Sequence, residues 1–322
     1  MAITVALAGD TMLGRGTAET LARRPAPALV ADEIAEVTAA ADFFLLNLEC
    51  CISERGEPWP DENKPFFFRA PPVAVETLVR LGVDCVTLAN NHALDFGFDA
   101  LEDTLMHLGA AGIACVGAGF DTEQARAPAL FDVSGRRLAV LSATDHPRDY
   151  AATDTRPGVA LADFRRGSPE WLVAAIERHR GDIVLVSPHW GPNMVTEPLP
   201  RIVAAGRSLV EAGATLVAGH SAHVFHGMNP PVIYDLGDFL DDYAVDPVMR
   251  NDLGLLCLVT LDESGPRRIE ALPLQLEYAR TEVARGEEAD WIARRLTSAC
   301  AAFGTRVRKV GRRLIVEVQP ET

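Results

Sequence analysis

No stretch of this chain offers the roughly 20 consecutive apolar residues of a membrane-spanning helix, so no integral membrane segment is expected. Nor does a basic leader precede the first apolar run, in MAITVALAGDTMLG, which reads as a first strand and not as a secretion signal. Positive charge is scarce: 30 lysines and arginines stand against 45 aspartates and glutamates, giving a net charge of −15 and a pI near 5.0. A polyanion binder needs a basic surface to release counterions, so nucleic acid is not an expected partner. The six cysteines, Cys50, Cys51, Cys85, Cys115, Cys257 and Cys300, show no C-x-x-C spacing and mostly sit in apolar runs, as small buried thiols do. Together these absences predict a cytoplasmic protein with reduced thiols.

What is present is a long, ordinary globular composition, 322 residues at 48% hydrophobic and 23% charged, enough for one large α/β domain or two smaller ones. Short apolar runs at 3–8, 43–46, 85–89, 113–116, 138–142, 183–186 and 215–218 alternate with helical patterns. Phe98, Leu101, Leu105 and Leu108 form one such helical stripe, with Gly112 where the helix would stop; Ile202, Ala205, Leu209 and Val210 form another. Strand-helix-strand alternation predicts a largely parallel sheet with right-handed crossovers. After Val232 the runs 255–261 and 269–276, joined by DESGPRR, predict antiparallel strands that finish a second sheet. A helix near 287–303 and the hairpin RVRKVGRRLIVEV close the chain. The expected organisation is a main domain over 1–280, with 281–322 packed on it as helix and hairpin, and a functional or mobile loop over about 145–169.

In open α/β sheets, ligands gather beyond the carboxyl ends of the strands. Asp10 follows the first run in GDTMLGR, Asn47 and Glu49 the second in NLE, and Asn91 and His92 the third in NNH. Later runs deliver His189 in SPHWG, then His220 and His223 in GHSAH. All are oxygen or imidazole donors, a set that suits one or two divalent ions such as Mn, Fe or Zn and not a cysteine-bound structural zinc. Separations of about 40 residues between Asp10, Glu49 and Asn91 are what crossovers returning to one sheet edge would give. Singly, each residue has a plainer reading: Asp10 as a helix cap, Asn91 as a turn former, His189 as a core histidine. Five strand ends carrying donors together favour a metal-centred site. His226, in GHSAHVFHG, reads as a rim or packing residue, and Ser221 lacks the G-x-S-x-G elbow of a nucleophile. The acidic run Asp235, Asp238, Asp241, Asp242 and Asp246 reads as a solvated loop from which only Asp238 faces the site.

The motifs GDTMLGR, NLE, KPFFFRAPP, LANNHALDFG, AGIACVGAG, PHWG, GHSAHV and IYDLGDF occur in the order found in the CapA family of bacterial capsule and poly-γ-glutamate synthesis proteins. Over roughly residues 3–240 the chain resembles that family, which looks related to the calcineurin-like metallophosphoesterases. The resemblance implies a four-layered α/β/β/α sandwich around two metal ions. By matching position, it implies Asp10 and His223 as ligands of a first ion, Asn91, His189 and His220 as ligands of a second, and Glu49 as the bridging carboxylate. It also implies that His92 contacts substrate and protonates a leaving oxygen, with Asp95 orienting it. Arg15 and Arg69 match positions from which a guanidinium can pair with phosphate or carboxylate oxygens, a structural salt bridge being the alternative for each. One departure weakens the first site: the phosphoesterase motif is Asp-x-His, and Met12 stands where that histidine would be. Asp238 and Phe239 likewise replace the family's usual Asn-Phe.

Two functions follow. The first is a metal-dependent hydrolase or transferase acting on a phosphoester or γ-glutamyl amide through a metal-activated water. The second is a non-catalytic, metal-binding accessory protein of poly-γ-glutamate or capsule biosynthesis that holds the polymer or a ligase or synthase partner.

Overall fold

The apolar runs become strands, but they divide between two sheets where their alternation alone predicts one largely parallel sheet. In this computed structural model, which describes residues 2–23 and 29–318, β1 (Ile3–Thr11), β2 (Phe43–Leu48), β5 (Cys85–Thr87) and β6 (Ala114–Val116) lie side by side in parallel. The outermost residues of the expected spans, 1 and 319–322, lie outside the described residues. In a second sheet β9 (Arg136–Thr144), β11 (Ile183–His189), β12 (Leu216–Ala218) and β14 (Val232–Ile233) run parallel, flanked by antiparallel β8 (Ala129–Val133) and β13 (Met228–Asn229). Periodicity cannot separate these sheets, because strands buried on both faces read alike as continuous apolar runs.

The hairpin of β16 (Leu253–Asp262) and β17 (Gly265–Glu277) forms as expected, yet it extends the first sheet and does not finish the second. The cause is direct pairing: β16 lies antiparallel to β1, from Ile3 opposite Leu261 to Leu7 opposite Cys257. Beyond it come β18 (Arg280–Val283) and the closing hairpin β19 (Val307–Val310) and β20 (Arg313–Val316). On the same side of β1 as β16, past the point where that pairing stops at Leu7, β15 (Asp238–Leu240) runs parallel to the end of β1, while β2 holds the opposite edge. Two small ladders, β3 (Cys51–Ile52) with β4 (Arg69–Ala70) and β7 (Ala118–Gly119) with β10 (Gly158–Val159), fix the connecting segments.

Three apolar clusters hold the layers. On the first sheet, α1 (Arg15–Arg23), α2 (Asp32–Ala39), α3 (Val75–Leu81) and α4 (Gly97–Ala110) bury Leu21, Ile34, Leu78 and Leu101 against Ala6, Phe44, Leu46 and Val86. The second cluster joins both sheets, Val5, Leu45 and Leu255 meeting Val140, Leu185 and Ile233. After the short α5 (Thr122–Arg126), α6 (Glu170–Arg178) and α7 (Pro200–Ala212) cover Val184, Val186 and Val217 with Leu172, Ile202 and Leu209. Helix α8 (Gly286–Ala301) sends Ile292, Leu296 and Cys300 into the cluster between the sheets. All six cysteines are free. The segment 145–169 is pinned down, with Tyr150 and Phe164 among the most deeply buried side chains.

One irregularity positions the site. Ala8 pairs with Leu46 and Asp10 with Asn47, so Gly9 is the extra residue of a bulge that re-aims the end of β1. The Asp10 amide donates to the Gly237 carbonyl at 3.0 Å, and a Cβ on Gly9 would stand 1.8 Å from that same oxygen. Gly9→Ala therefore has to push backbone apart. It is expected to lower stability by roughly 1–3 kcal/mol in urea unfolding; an unchanged midpoint would contradict this crossing.

Candidate metal centre

Register sets the first row of the site. Asp10, Asn47 and Thr87 are neighbours across β1, β2 and β5. The Asn47 amide donates to Asp10 Oδ1 at 2.7 Å, and its own oxygen accepts from the Thr87 hydroxyl at 2.7 Å and from Asn90 Nδ2 at 2.9 Å. Thr87 Oγ1 also lies 3.3 Å from His220 Nε2, which carries the row across to the second sheet. There His189, ending β11, is bridged to His220, and their Nδ1 atoms approach to 2.9 Å. His220 Nδ1 is 3.6 Å from Asp10 Oδ1, and His223 Nδ1 is 3.4 Å from Asp10 Oδ2.

The loop after β12 holds unusual backbone to do this: Ser221 has φ 126° and His223 φ 60°. The buried carboxylate of Asp235 secures it, accepting from the Ala222 and Gly237 amides at 2.8 Å each.

Two overlapping donor groups result: Asp10 with His189 and His220, and Asp10 with Glu49, His223 and Asp238. Within each, one donor atom per residue lies within 4.8 Å of the others, so each group can hold a metal ion. Asp10 Oδ2, both Glu49 oxygens, Asn91 Oδ1, His189 Nε2 and Asp238 Oδ2 are buried without a hydrogen-bond partner. Buried polar atoms are nearly always bonded, and a cation is the one partner that satisfies carboxylate, amide and imidazole lone pairs together. The residues therefore fit a divalent ion. Asn90 differs from Asn91: its amide is spent on Asn47, the Leu48 carbonyl and the His92 amide.

Burial dominates the electrostatics. It raises the Glu49 carboxyl well above its ordinary range, with Asp10 adding repulsion, and raises Asp10 itself. Burial, then Asp241, does the same to Asp238, while Asp241 is pushed up by burial to about 6. Burial lowers His189 strongly and His220 to about 3, so both are neutral and able to ligate. For His223 burial works against the charged form, but Glu49 and Asp10 outweigh it and the net shift is upward.

Beside these donors the His92 ring stacks on Phe68 with centroids 4.0 Å apart, and its Nδ1 lies 2.6 Å from Asp95 Oδ2. Asp95 also accepts from the Phe68 amide at 2.6 Å, Lys64 Nζ at 2.9 Å and the Tyr150 hydroxyl at 3.0 Å. Burial brings His92 down to about 4 against the pull of Asp95, leaving a neutral ring whose Nδ1–H points at Asp95. Arg15 lies over Phe66 and Phe68, 5.7 and 5.4 Å from the ring centroids, and 3.3 Å from Asp242. Arg69 makes neither of the expected pairings: it donates to the Arg55 and Gly56 carbonyls at 3.1 and 3.2 Å and covers the Phe96 ring. His226 binds the Val195 carbonyl at 2.8 Å, outside both donor groups, as its packing reading expects.

The acidic run is not the solvated loop expected of it. Asp235, Asp238, Asp241 and Asp242 are all buried, because β15 pairs with β1 and draws the segment inward; only Asp246 remains partly exposed, capping the Val248 and Met249 amides. Lys64 and Tyr150 were not legible as site residues, since neither follows an apolar run. Tyr243 carries no such signal either; its hydroxyl is buried without a hydrogen-bond partner, and its ring packs on Phe68 and His223.

A mixed α/β protein whose sheets converge on buried His, Asp and Glu groups able to hold a metal ion is the class this geometry defines. The sequence profile of the bacterial capsule synthesis protein PGA_cap matches residues 4–243, and the chain belongs to that family. It is 31% identical to a probable polyglutamine synthesis accessory protein of Mycobacterium tuberculosis, over 95% of this chain and 93% of that one. It is 27% identical to the PGA biosynthesis protein CapA of Bacillus subtilis, over 86% and 72%, and 26% identical to the capsule biosynthesis protein CapA of Bacillus anthracis, over 85% and 68%. A hypothetical protein from Thermus thermophilus superposes with a TM-score of 0.43 at 15% identity, over 87% of this chain and 96% of its own, too loosely to add to this. Among the described residues no helix is long and apolar enough to cross a membrane.

Burial, with Asp10 adding repulsion, raises the Glu49 carboxyl well above its ordinary range, so in the metal-free protein this group lowers stability increasingly as pH rises above the unfolded value. Without metal, Glu49→Gln is thus expected to stabilise the EDTA-treated protein by roughly 1–3 kcal/mol at pH 7. Added Mn should raise the melting temperature of the wild type and leave the variant nearly unmoved. A less stable metal-free variant would contradict this balance.

Proposed function

We propose that this chain is a metal-dependent hydrolase or transferase acting on a phosphoester or a γ-glutamyl amide. The observation that carries the reading is the set of buried donor atoms without partners standing beside the His92–Asp95 pair. On this reading Asp10, Glu49 and His223 would hold one ion and Asn91, His189 and His220 a second, and Asp10's membership of both donor groups supports a carboxylate available to either. Bound divalent ions supply a hydroxide at neutral pH and polarise the substrate oxygens.

The chain's own groups do the rest. His92, neutral and held at Nδ1 by Asp95, has a free lone pair at Nε2 that would take up the proton the attacking water loses and pass it to the leaving oxygen. Lys64 and Tyr150 hold Asp95 in place, so the ring cannot turn without breaking a network of buried bonds. Arg15, partly exposed at the rim, offers a guanidinium to an acidic group of the substrate.

A second reading, an accessory protein that binds metal and holds a poly-γ-glutamate chain or a ligase partner, is favoured by the accessory role in the mycobacterial relative's name. Hydrolysis of phosphomonoesters, phosphodiesters and γ-glutamyl peptides with added Mn separates the two. On the enzyme reading, His92→Ala loses roughly 10²–10⁴-fold in rate while retaining its metal, and Asn91→Ala and His189→Ala lose metal as well. A wild type that binds metal yet turns over none of these substrates is an accessory protein.

A further inference from the structure

We propose that Asp238 is a metal ligand in the position Met12 leaves without one, and that it makes this half of the centre a hard, carboxylate-rich site distinct from its imidazole-rich neighbour. The inference rests on the metal-centre reading above and adds a ligand and an ion preference to it.

Met12 itself is directed away. It is fully buried in the cluster beneath the helices, and its sulfur accepts from the Gly14 amide at 3.0 Å. Asp238 arrives instead from an adjacent strand. β15 pairs with the end of β1 so that Asp238 stands directly beside Asp10. Its Oδ1 is 2.8 Å from His223 Nδ1, its Oδ2 is buried without a hydrogen-bond partner, and it falls within the group formed with Asp10, Glu49 and His223.

The backbone there is squeezed into place from two sides. A Cβ on Gly9 would meet the Gly237 carbonyl oxygen at 1.8 Å, and a Cβ on Gly254 would meet the Asp238 carbonyl oxygen at 2.3 Å. Glycine at both positions lets β15 come close enough to present the carboxylate.

The two halves then differ in chemistry. Asp10, Glu49, Asp238 and His223 offer three carboxylates and one imidazole, whereas Asp10, His189 and His220 offer one carboxylate and two imidazoles. Carboxylate-rich sites suit hard cations such as Mn(II) and Mg(II), and imidazole-rich sites suit Zn(II). With one equivalent of each metal, Mn should occupy the Asp238 half while Zn fills the other.

The test is metal binding, read by calorimetry and by Mn(II) electron paramagnetic resonance on the full chain. In the wild type with equimolar Mn and Zn, one equivalent of Mn should stay protein-bound after one equivalent of Zn. Asp238→Asn, which keeps size and removes charge, should weaken that Mn site about tenfold or more and leave the first Zn equivalent unchanged. His189→Ala should do the reverse, and Met12→Leu should change neither. Two Mn equivalents bound alike by wild type and Asp238→Asn, or Mn and Zn weakened together, would overturn the assignment while leaving the metal centre standing. A wild type that binds no metal overturns both, and the wild-type competition needs no variant to fold.

Discussion

The row of hydrogen bonds from Asp10 through Asn47 and Thr87 to His220 is the constraint on which the site depends. It crosses from one sheet to the other, so donors contributed by two separate sets of strands share one frame. Each link is buried, and a buried link left unmade costs about 1–3 kcal/mol in unsatisfied polar groups. The apolar cluster between the sheets holds them together; this polar row sets how their ends align.

The same burial that makes the centre rigid makes it electrostatically unfavourable. Glu49, Asp10 and Asp238 are carboxyl groups with donor atoms within 4.8 Å of one another, away from water, and among the described residues no lysine or arginine forms an ion pair with them. His223 meets part of that charge. A folded chain tolerates such an arrangement because its three apolar clusters stabilise it elsewhere, the usual relation between a demanding site and the fold that carries it.

Much of this could be read from the sequence, because crossover topology turns sequence spacing into spatial coincidence. Asp10, Glu49, His189, His220 and His223 all follow apolar runs, and that rule collects them. Asp238 resisted the rule because it begins a strand instead of following one, and because acidic runs so often belong to solvent. Lys64 and Tyr150 lie in connecting segments where nothing periodic marks them. The division into two sheets was hidden for a related reason: a strand buried on both faces carries no sign of which sheet it joins. Arg69 is the reverse case, a guanidinium in a family motif whose contacts in the fold are a clamp on backbone carbonyls.

Tyr150 reaches Asp95 from the segment 145–169, which the sequence marks only as a long excursion. Asp95 holds His92, so the excursion is a bearing surface for the imidazole ring and not a detachable cover. Loops of this length are ordinarily the interchangeable part of a fold, free to be traded for new specificity. Here a graft that omits the tyrosine would disturb the histidine's mounting, so diversification of this loop is tethered to a single phenol.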